Sequence, residues 1–259
     1  MNLNFKRYLL MAVLAMLFSC TAVSKKQSAD LASNIHYEDI TRIVTKLTEL
    51  NVPLQKDPKE DIRWIEARRG ELNDESIRLL QHLPKLEWLE IGNSFITQEG
   101  MKYLGKCTAL KRLYIHDISL EGEELEWISN LKKLEALSLQ RTQIDGKFLK
   151  HLSTVDTLKV LNLSGNPITD QDMSQIARFK KLEVLALADT QITGLGIGEL
   201  KGMALLNELN IVNCRIQDYD LSYFVSMPNL RIVYTEGCNL SDFAIKGIIA
   251  RFPSLAIFR

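Results

Sequence analysis

The sequence has 259 residues, of which 46% are hydrophobic, and its 32 basic side chains equal its 32 acidic ones in number. Without residues 1–30, which hold four basic residues and one acidic residue, 28 basic and 31 acidic side chains remain. This balance disfavours nucleic-acid binding, since recognition of phosphates depends on an excess of cations. After the first twenty residues, no stretch reaches the roughly 18–20 apolar residues that a membrane-spanning helix needs.

The first twenty residues have the layout of a secretory signal. Lys6 and Arg7 precede an apolar run over residues 8–18, which is too short to span a bilayer. The run ends in Leu17, Phe18, Ser19 and Cys20.

This motif around Cys20 resembles the lipobox of bacterial lipoproteins, although Phe18 is larger than the residue usual at its position. The resemblance implies a signal peptide over residues 1–19, cleaved before Cys20, and a lipid-modified Cys20 as the membrane anchor. More than one acyl chain would be needed, because a single chain binds a membrane only marginally. The alternative is an ordinary signal cut after Ala22, which would remove Cys20.

Residues 20–34 are polar and predict a flexible tether. In Gram-negative lipoproteins, Thr21 directly after the cysteine is compatible with export to the outer membrane. We therefore expect a lipid-anchored protein of the cell envelope, placed in the outer membrane or at the cell surface if the organism is Gram-negative. If residues 1–20 are not processed, the protein is instead an intracellular or exported regulatory adaptor.

An amphipathic helix follows the tether. Ile40, Ile43, Val44 and Leu47 have the spacing of one apolar helical face, which predicts a helix over residues 36–50. Residues 51–61 contain two prolines and lead into the first strand. We interpret residues 35–61 as an N-terminal cap on the domain that follows.

From residue 62 onward the chain repeats itself every 24 residues. The same step separates eight apolar residues: Ile62, Leu86, Leu110, Leu134, Leu158, Leu182, Leu206 and Leu230. A fixed period of this size predicts a solenoid, in which each repeat is stabilised by stacking on its neighbours.

Each unit contains one strand pattern and one helix pattern. Leu158, Leu161 and Leu163 show the strand positions, and Met173 and Ile176 belong to a short α- or 3₁₀-helix. Carboxylates recur at one offset near the turn or helix start, where each can accept hydrogen bonds from the first free amides of a helix. These residues are Asp74, Asp170, Asp218 and Asp242.

The repeat resembles the leucine-rich repeat, L-x-x-L-x-L-x-x-N/C-x-L. Leu158 to Ile168 matches the pattern in full, with Asn166 at its polar position, while Arg69-Gly70 and Ile118 depart from it. The resemblance covers residues 62–259 and implies an α/β fold: a right-handed horseshoe with a parallel sheet on the concave face and short helices on the convex side. The far end carries one last strand near Leu255 and Phe258, whose edge could pair with a second copy to form a homo-oligomer.

The cysteines and histidines give no sign of chemistry. Cys107 is expected in the core, and Cys214 and Cys238 are ladder neighbours expected to be thiols that satisfy turn amides, with a disulfide as the alternative. We find no catalytic motif, metal-ligand spacing or cofactor-binding motif, and the four histidines occupy unrelated offsets. We therefore expect a protein that is not an enzyme and has no cofactor or metal.

The strand alternation identifies which side chains face the concave surface. Tryptophan, tyrosine and arginine, the residue types richest in binding energy, gather on its first three strands. The candidate partner-binding residues are Trp64, Glu66, Arg68, Trp88, Glu90, Arg112, Tyr114 and His116.

Two structural alternatives remain open for Trp64 and Trp88. They could stack with Arg112 into a ladder that only stiffens the sheet, or the tether or cap could fold over them. The resemblance implies recognition of another macromolecule, a protein above all, through the concave face, with the membrane contacted through Cys20. A structural or self-assembling envelope component is the alternative function.

Overall fold

The computed structural model describes residues 37–59, 61–120 and 125–259, and the residues from Tyr37 to Arg259 form one compact unit. The expected signal peptide, Cys20 and the tether lie outside the described residues. Within the described ranges, no helix is long and apolar enough to cross a membrane.

One strand, and usually one helical segment, recurs in each repeat. The strands are β1 (Leu54–Lys56), β2 (Ile62–Ala67), β3 (Trp88–Gly92), β4 (Arg112–His116), β5 (Ala136–Gln140), β6 (Val160–Asn162), β7 (Val184–Ala186), β8 (Glu208–Asn210), β9 (Ile232–Tyr234) and β10 (Ala256–Phe258). The α-helices are α1 (Tyr37–Glu49), α2 (Asp74–Leu80), α3 (Gln98–Lys102), α4 (Asp170–Ile176), α5 (Gly194–Glu199) and α6 (Asp242–Arg251). The 3₁₀-helices span Tyr103–Lys106, Glu126–Asn130, Gly146–Leu152 and Asp218–Ser226.

The strands form one open sheet in chain order. Strands β2 to β10 are parallel, each paired with its sequence neighbours, and the pairs are in register at the 24-residue step, as in Leu161 beside Leu185. This confirms the predicted solenoid. The first strand, β1, was not predicted, and it pairs antiparallel with β2.

The repeat pattern produces the core. In the fifth repeat, Leu161, Leu163, Met173 and Ile176 are fully buried. The strand leucines point inward from the sheet and meet the apolar side of the helical segment, so each layer covers the next. At the N-terminal end, the predicted helix is present as α1, and its Leu47 is fully buried in the same core.

The polar residue of the repeat closes the turn after each strand. Asn166 donates from Nδ2 to the carbonyls of Leu139 (2.5 Å) and Leu163 (2.9 Å), and its Oδ1 accepts from the Thr142 amide at 3.0 Å. One side chain thus satisfies backbone groups of two successive repeats in a buried turn, where unpaired groups are costly.

The two cysteines at this polar position bond both carbonyls and amides of the preceding repeat. Cys214 Sγ donates to the carbonyl of Leu187, and Cys238 Sγ donates to that of Ile211, both at 3.1 Å. Turn amides also bond the sulfurs, as expected from the sequence: that of Thr190 bonds Cys214, and those of Cys214 and Ile216 bond Cys238. Both cysteines are free, as is the buried Cys107.

Three of the four recurrent aspartates accept hydrogen bonds from the first amides of a helical segment, as expected, but the segment belongs to the next repeat. Asp170 is the first residue of α4, whose cap is Thr169, and its carboxylate accepts from Thr193 N (2.8 Å), Thr193 Oγ1 (2.7 Å) and Gly196 N (3.1 Å) in the next repeat. Asp74 and Asp218 bond the next repeat in the same way. These carboxylates join repeats because each lies one residue beyond the cap, where it points along the stack.

The fourth aspartate, Asp242, lies in the last repeat. It pairs with Arg259, which also donates from Nη2 to the carbonyl of Leu240 at 2.8 Å. The predicted last strand is present as β10, and it pairs with β9 along one edge.

Candidate functional site

The candidate residues lie where the strand alternation places them, on the concave side of β2, β3 and β4. Trp64 pairs in register with Trp88, and Trp88 pairs with Arg112. Glu66, Glu90 and Tyr114 form the next row, also in register. We call the eight candidate residues the N-terminal patch; seven lie on these three strands, and Arg68 directly follows β2.

Trp88 is the centre of the aromatic part of the patch. Its ring meets Tyr114 edge to face, with centroids 5.8 Å apart, and the Arg112 guanidinium lies 5.7 Å from its centroid. Burial raises the pKa of Tyr114 to about 12, so its hydroxyl stays protonated at neutral pH. These contacts fix the rings on the sheet and support the ladder interpretation in part.

The Trp88 indole nitrogen has an unusual environment. Nε1 is buried and has no hydrogen-bond acceptor among the described residues. A buried N–H without an acceptor costs on the order of 1–3 kcal/mol, so this donor destabilises the patch as it stands.

The charged part of the patch is paired internally. Arg68 lies 2.7 Å from Glu90 Oε2 and 3.3 Å from Glu66, while its side chain remains half exposed. His116 contacts Glu90 at 3.5 Å. Burial would raise the pKa of Glu90, but hydrogen bonds from His116 and Arg68 outweigh it and leave that pKa lowered, so Glu90 is an anion at neutral pH.

Sequence reasoning missed the extension of this charge network. His116 Nδ1 lies 2.9 Å from Asp117, and Asp117 receives two bonds from Arg141, at 2.5 Å from Nε and 2.7 Å from Nη2. Hydrogen bonding to Arg141 lowers the pKa of Asp117 to about 2. Asp117 and Arg141 occupy equivalent positions, each directly after its strand. Comparison of the residues that follow each strand would have identified them.

The middle of the concave face differs from the N-terminal patch. Its small side chains are nearly inaccessible in this structure: Ala136, Ser138, Val160, Asn162, Val184, Ala186 and Ala188 are each at most 7% exposed. Glu208 lies between Val184 and Ile232 in the same row, and burial raises its pKa to about 7. The exposed polar groups of the concave face therefore concentrate near its two ends.

No group of three or more His, Cys, Asp or Glu side chains in the described ranges could hold a metal ion. The N-terminal patch instead combines aromatic rings with paired charges.

The sequence model of the family described as leucine rich repeat matches residues 156–216. Together with the 24-residue register of the sheet, this match shows that the chain has the leucine-rich repeat fold. None of the curated proteins matches its sequence.

Two solved structures are similar to this chain. One is internalin C2 from Listeria monocytogenes, with 25% identity, a TM-score of 0.60, and coverage of 76% of this chain and 80% of that one. Another is TLR13 in a complex with ssRNA13, with 29% identity and a TM-score of 0.50. That match covers 68% of this chain but 25% of the TLR13 chain, so this leucine-rich repeat protein corresponds to about a quarter of TLR13.

Proposed function

We propose that this chain is a lipid-anchored recognition protein of the cell envelope, which binds another protein through the N-terminal patch. The observation that carries this proposal is the set of in-register aromatic side chains on β2–β4 beside the half-exposed Arg68. Aromatic residues and arginine contribute most of the energy at protein interfaces. We assign no catalytic role to the chain, since the leucine-rich repeat fold generally serves as a binding scaffold.

The patch's charges favour a protein over a nucleic acid. Glu66 and Glu90 balance Arg68 and Arg112, so the surface offers no excess of cations for a phosphate backbone. Because TLR13 was crystallised with single-stranded RNA, the absence of nucleic-acid binding by this chain is best tested with single-stranded RNA. We expect single-stranded RNA not to bind at physiological salt.

A purely structural role is the second candidate. It is favoured by the contacts of Trp88 with Tyr114 and Arg112, which bind the strands to one another. The two roles predict different effects of truncating the side chains of the N-terminal patch. A structural ladder loses stability when its rings are removed, whereas a recognition patch loses its partner while the fold survives.

The test is capture from native envelope and extracellular extracts, with the detergent-extracted full chain as bait. A Trp64→Ala/Arg68→Ala variant runs beside it, with Glu236→Ala as the control, because Glu236 is exposed near the opposite end of the concave face. We expect a protein that the wild type and control retain and the double variant loses, with similar unfolding midpoints for all three.

Two results would count against recognition at this patch. Equal retention by all three baits would place the site elsewhere. No retained protein, combined with a lower unfolding midpoint of the double variant, would favour the structural role.

The anchor is proposed from the sequence motif alone. We propose that Cys20 carries the lipids and that residues 20–34 hold the repeat domain away from the membrane. A Cys20→Ser variant should fail to incorporate labelled palmitate and should leave the membrane fraction. Continued membrane association with full lipid incorporation would show that Cys20 is not the anchor.

A further inference from the structure

Three consecutive repeats carry an exposed apolar residue at the same offset. Leu195, Tyr219 and Phe243 are the second residues of their helical segments, and they are 73%, 70% and 88% exposed. In earlier repeats the same offset holds polar residues: Glu75, Glu99, Lys147 and Gln171. We call the three apolar residues the apolar row.

The contacts beside the apolar row hold its members close together. Thr193 and Arg215 form a parallel β-bridge, as do Gln217 and Asn239, and the Asp218 carboxylate bonds Ser241 N and Oγ, both at 2.7 Å. Each helix start is therefore held against the turn of the next repeat, so successive starts are neighbours on the surface. The three side chains form an apolar row at an offset that is otherwise polar.

The charged residues next to the apolar row have opposite signs at its two ends. Glu199 lies one helical turn from Leu195, and Lys246 lies one turn from Phe243. Both are exposed, and neither has an ion-pair partner within the described part of the chain. In the middle repeat, Arg215 and Asp218 flank Tyr219 with opposite charges.

We propose that the apolar row is a two-fold interface between two copies of this chain. With the axis at Tyr219 and the rows running in opposite directions, Leu195 meets the partner's Phe243, and Tyr219 meets the partner's Tyr219. The same rotation brings Glu199 against the partner's Lys246, at both ends of the interface. An isologous interface requires this kind of self-complementarity, and the row supplies it in apolar shape and in charge.

The size of the row sets the strength of the dimer. An aromatic side chain buries about 150–250 Å² when fully covered. Two aromatic rings and a leucine from each copy therefore bury on the order of 1,000 Å² in total, which is near the lower limit for a specific interface. The dimer is accordingly weak and concentration-dependent, and confinement of the copies to a membrane surface strengthens it.

The geometry can be tested with cysteine variants of the full chain in mild detergent, joined by a short bismaleimide. Tyr219→Cys should cross-link to itself. Leu195→Cys and Phe243→Cys should each cross-link poorly alone but efficiently when the two variants are mixed. Gln171→Cys, at the same offset one repeat before the row, is the matched control, and the unsubstituted chain measures the background from native cysteines.

Two cross-linking outcomes would overturn the proposal. If Leu195→Cys cross-links to itself as well as Tyr219→Cys does, the rows do not run in opposite directions. If no row variant exceeds Gln171→Cys, the row does not join two copies.

A charge exchange tests the pairing independently. Glu199→Lys and Lys246→Glu should each weaken dimerisation by about tenfold, as measured by sedimentation, and the double variant should restore it. A double variant as weak as either single one would contradict the pairing. Neither residue lies in the N-terminal patch, so partner capture by that patch should be unchanged.

Discussion

At the scale of single residues, His116 links the N-terminal patch to the charged residues that follow the strands. It lies between the carboxylates of Glu90 and Asp117. Hydrogen bonding to Glu90 raises the pKa of His116, burial opposes this, and Asp117 adds to the increase. The imidazolium is therefore more stable in the folded protein than in the unfolded chain.

This raised pKa fixes the sign of a pH effect on stability. The contribution of His116 is fully present below its unfolded pKa of about 6.5 and is lost as the pH rises through its higher folded pKa. We expect His116→Gln to lower the urea midpoint clearly at pH 5.5 and less at pH 8.5. The exposed His82, substituted in the same way, serves as the control. A deficit that is equal at both pH values would show that His116 acts through packing rather than charge.

At the scale of elements, the helical segments are joined by side chains from the preceding repeat. Asp170 is the clearest example, because one carboxylate accepts three bonds from the start of α5. A helix start has free amides that need acceptors, and here the acceptor comes from the neighbouring repeat.

Removal of this acceptor should cost stability without changing the core. We expect Asp170→Ala to lower the free energy of unfolding by about 2 kcal/mol, the range for a lost cap that involves a charged acceptor. Asp156→Ala, which removes an exposed carboxylate at the end of the preceding repeat, should change it by less than about 0.5 kcal/mol. Equal effects of the two substitutions would contradict a role for Asp170 in joining repeats.

At the scale of the whole molecule, stability is distributed along a line. Each repeat contacts only its neighbours, so a solenoid's stability approximates a sum of repeat and interface contributions. Leu161 lies in the middle of this line and is fully buried, and Leu255 lies in the last layer.

The position of a cavity along the stack should therefore determine how the protein unfolds. Leu161→Ala should cost about 2–5 kcal/mol and divide the unfolding transition, because it weakens the coupling between the two halves. Leu255→Ala should instead expose the last repeats to hydrogen exchange and leave the first repeats protected. Exchange that increases uniformly along the chain in both variants would indicate a single cooperative unit.

The sequence predicted the fold well because the period is visible in every repeat. The burial of Leu161 and its equivalents can be predicted from the apolar pattern of each repeat separately. The partner of Asp170 was not predictable in this way, since Thr193 lies 23 residues ahead. The sequence pattern also does not distinguish the cap of a helix from the residue directly after it. Strand β1 was missed because it is three residues long and lies outside the repeat.

The candidate site was predictable only in part. Strand alternation placed Trp88 and Arg112 on one face, but it could not show that Arg112 covers the Trp88 ring. The apolar row was not predicted for a different reason: its offset is not one of the apolar positions that recur in every repeat. Leu195, Tyr219 and Phe243 occupy an offset that is polar elsewhere, so only a comparison of the surface positions between repeats reveals them.

The constant 24-residue register has a consequence for how this gene can change. Some polar contacts between repeats span this same step, as from Asn166 to Thr142 and from Asp189 to Asn213, and the others recur at their own fixed steps. In-frame recombination that adds or deletes one whole unit therefore creates a junction like those already present. We expect such length variants to fold. The number of repeats can therefore change during evolution without a change in the core of each repeat.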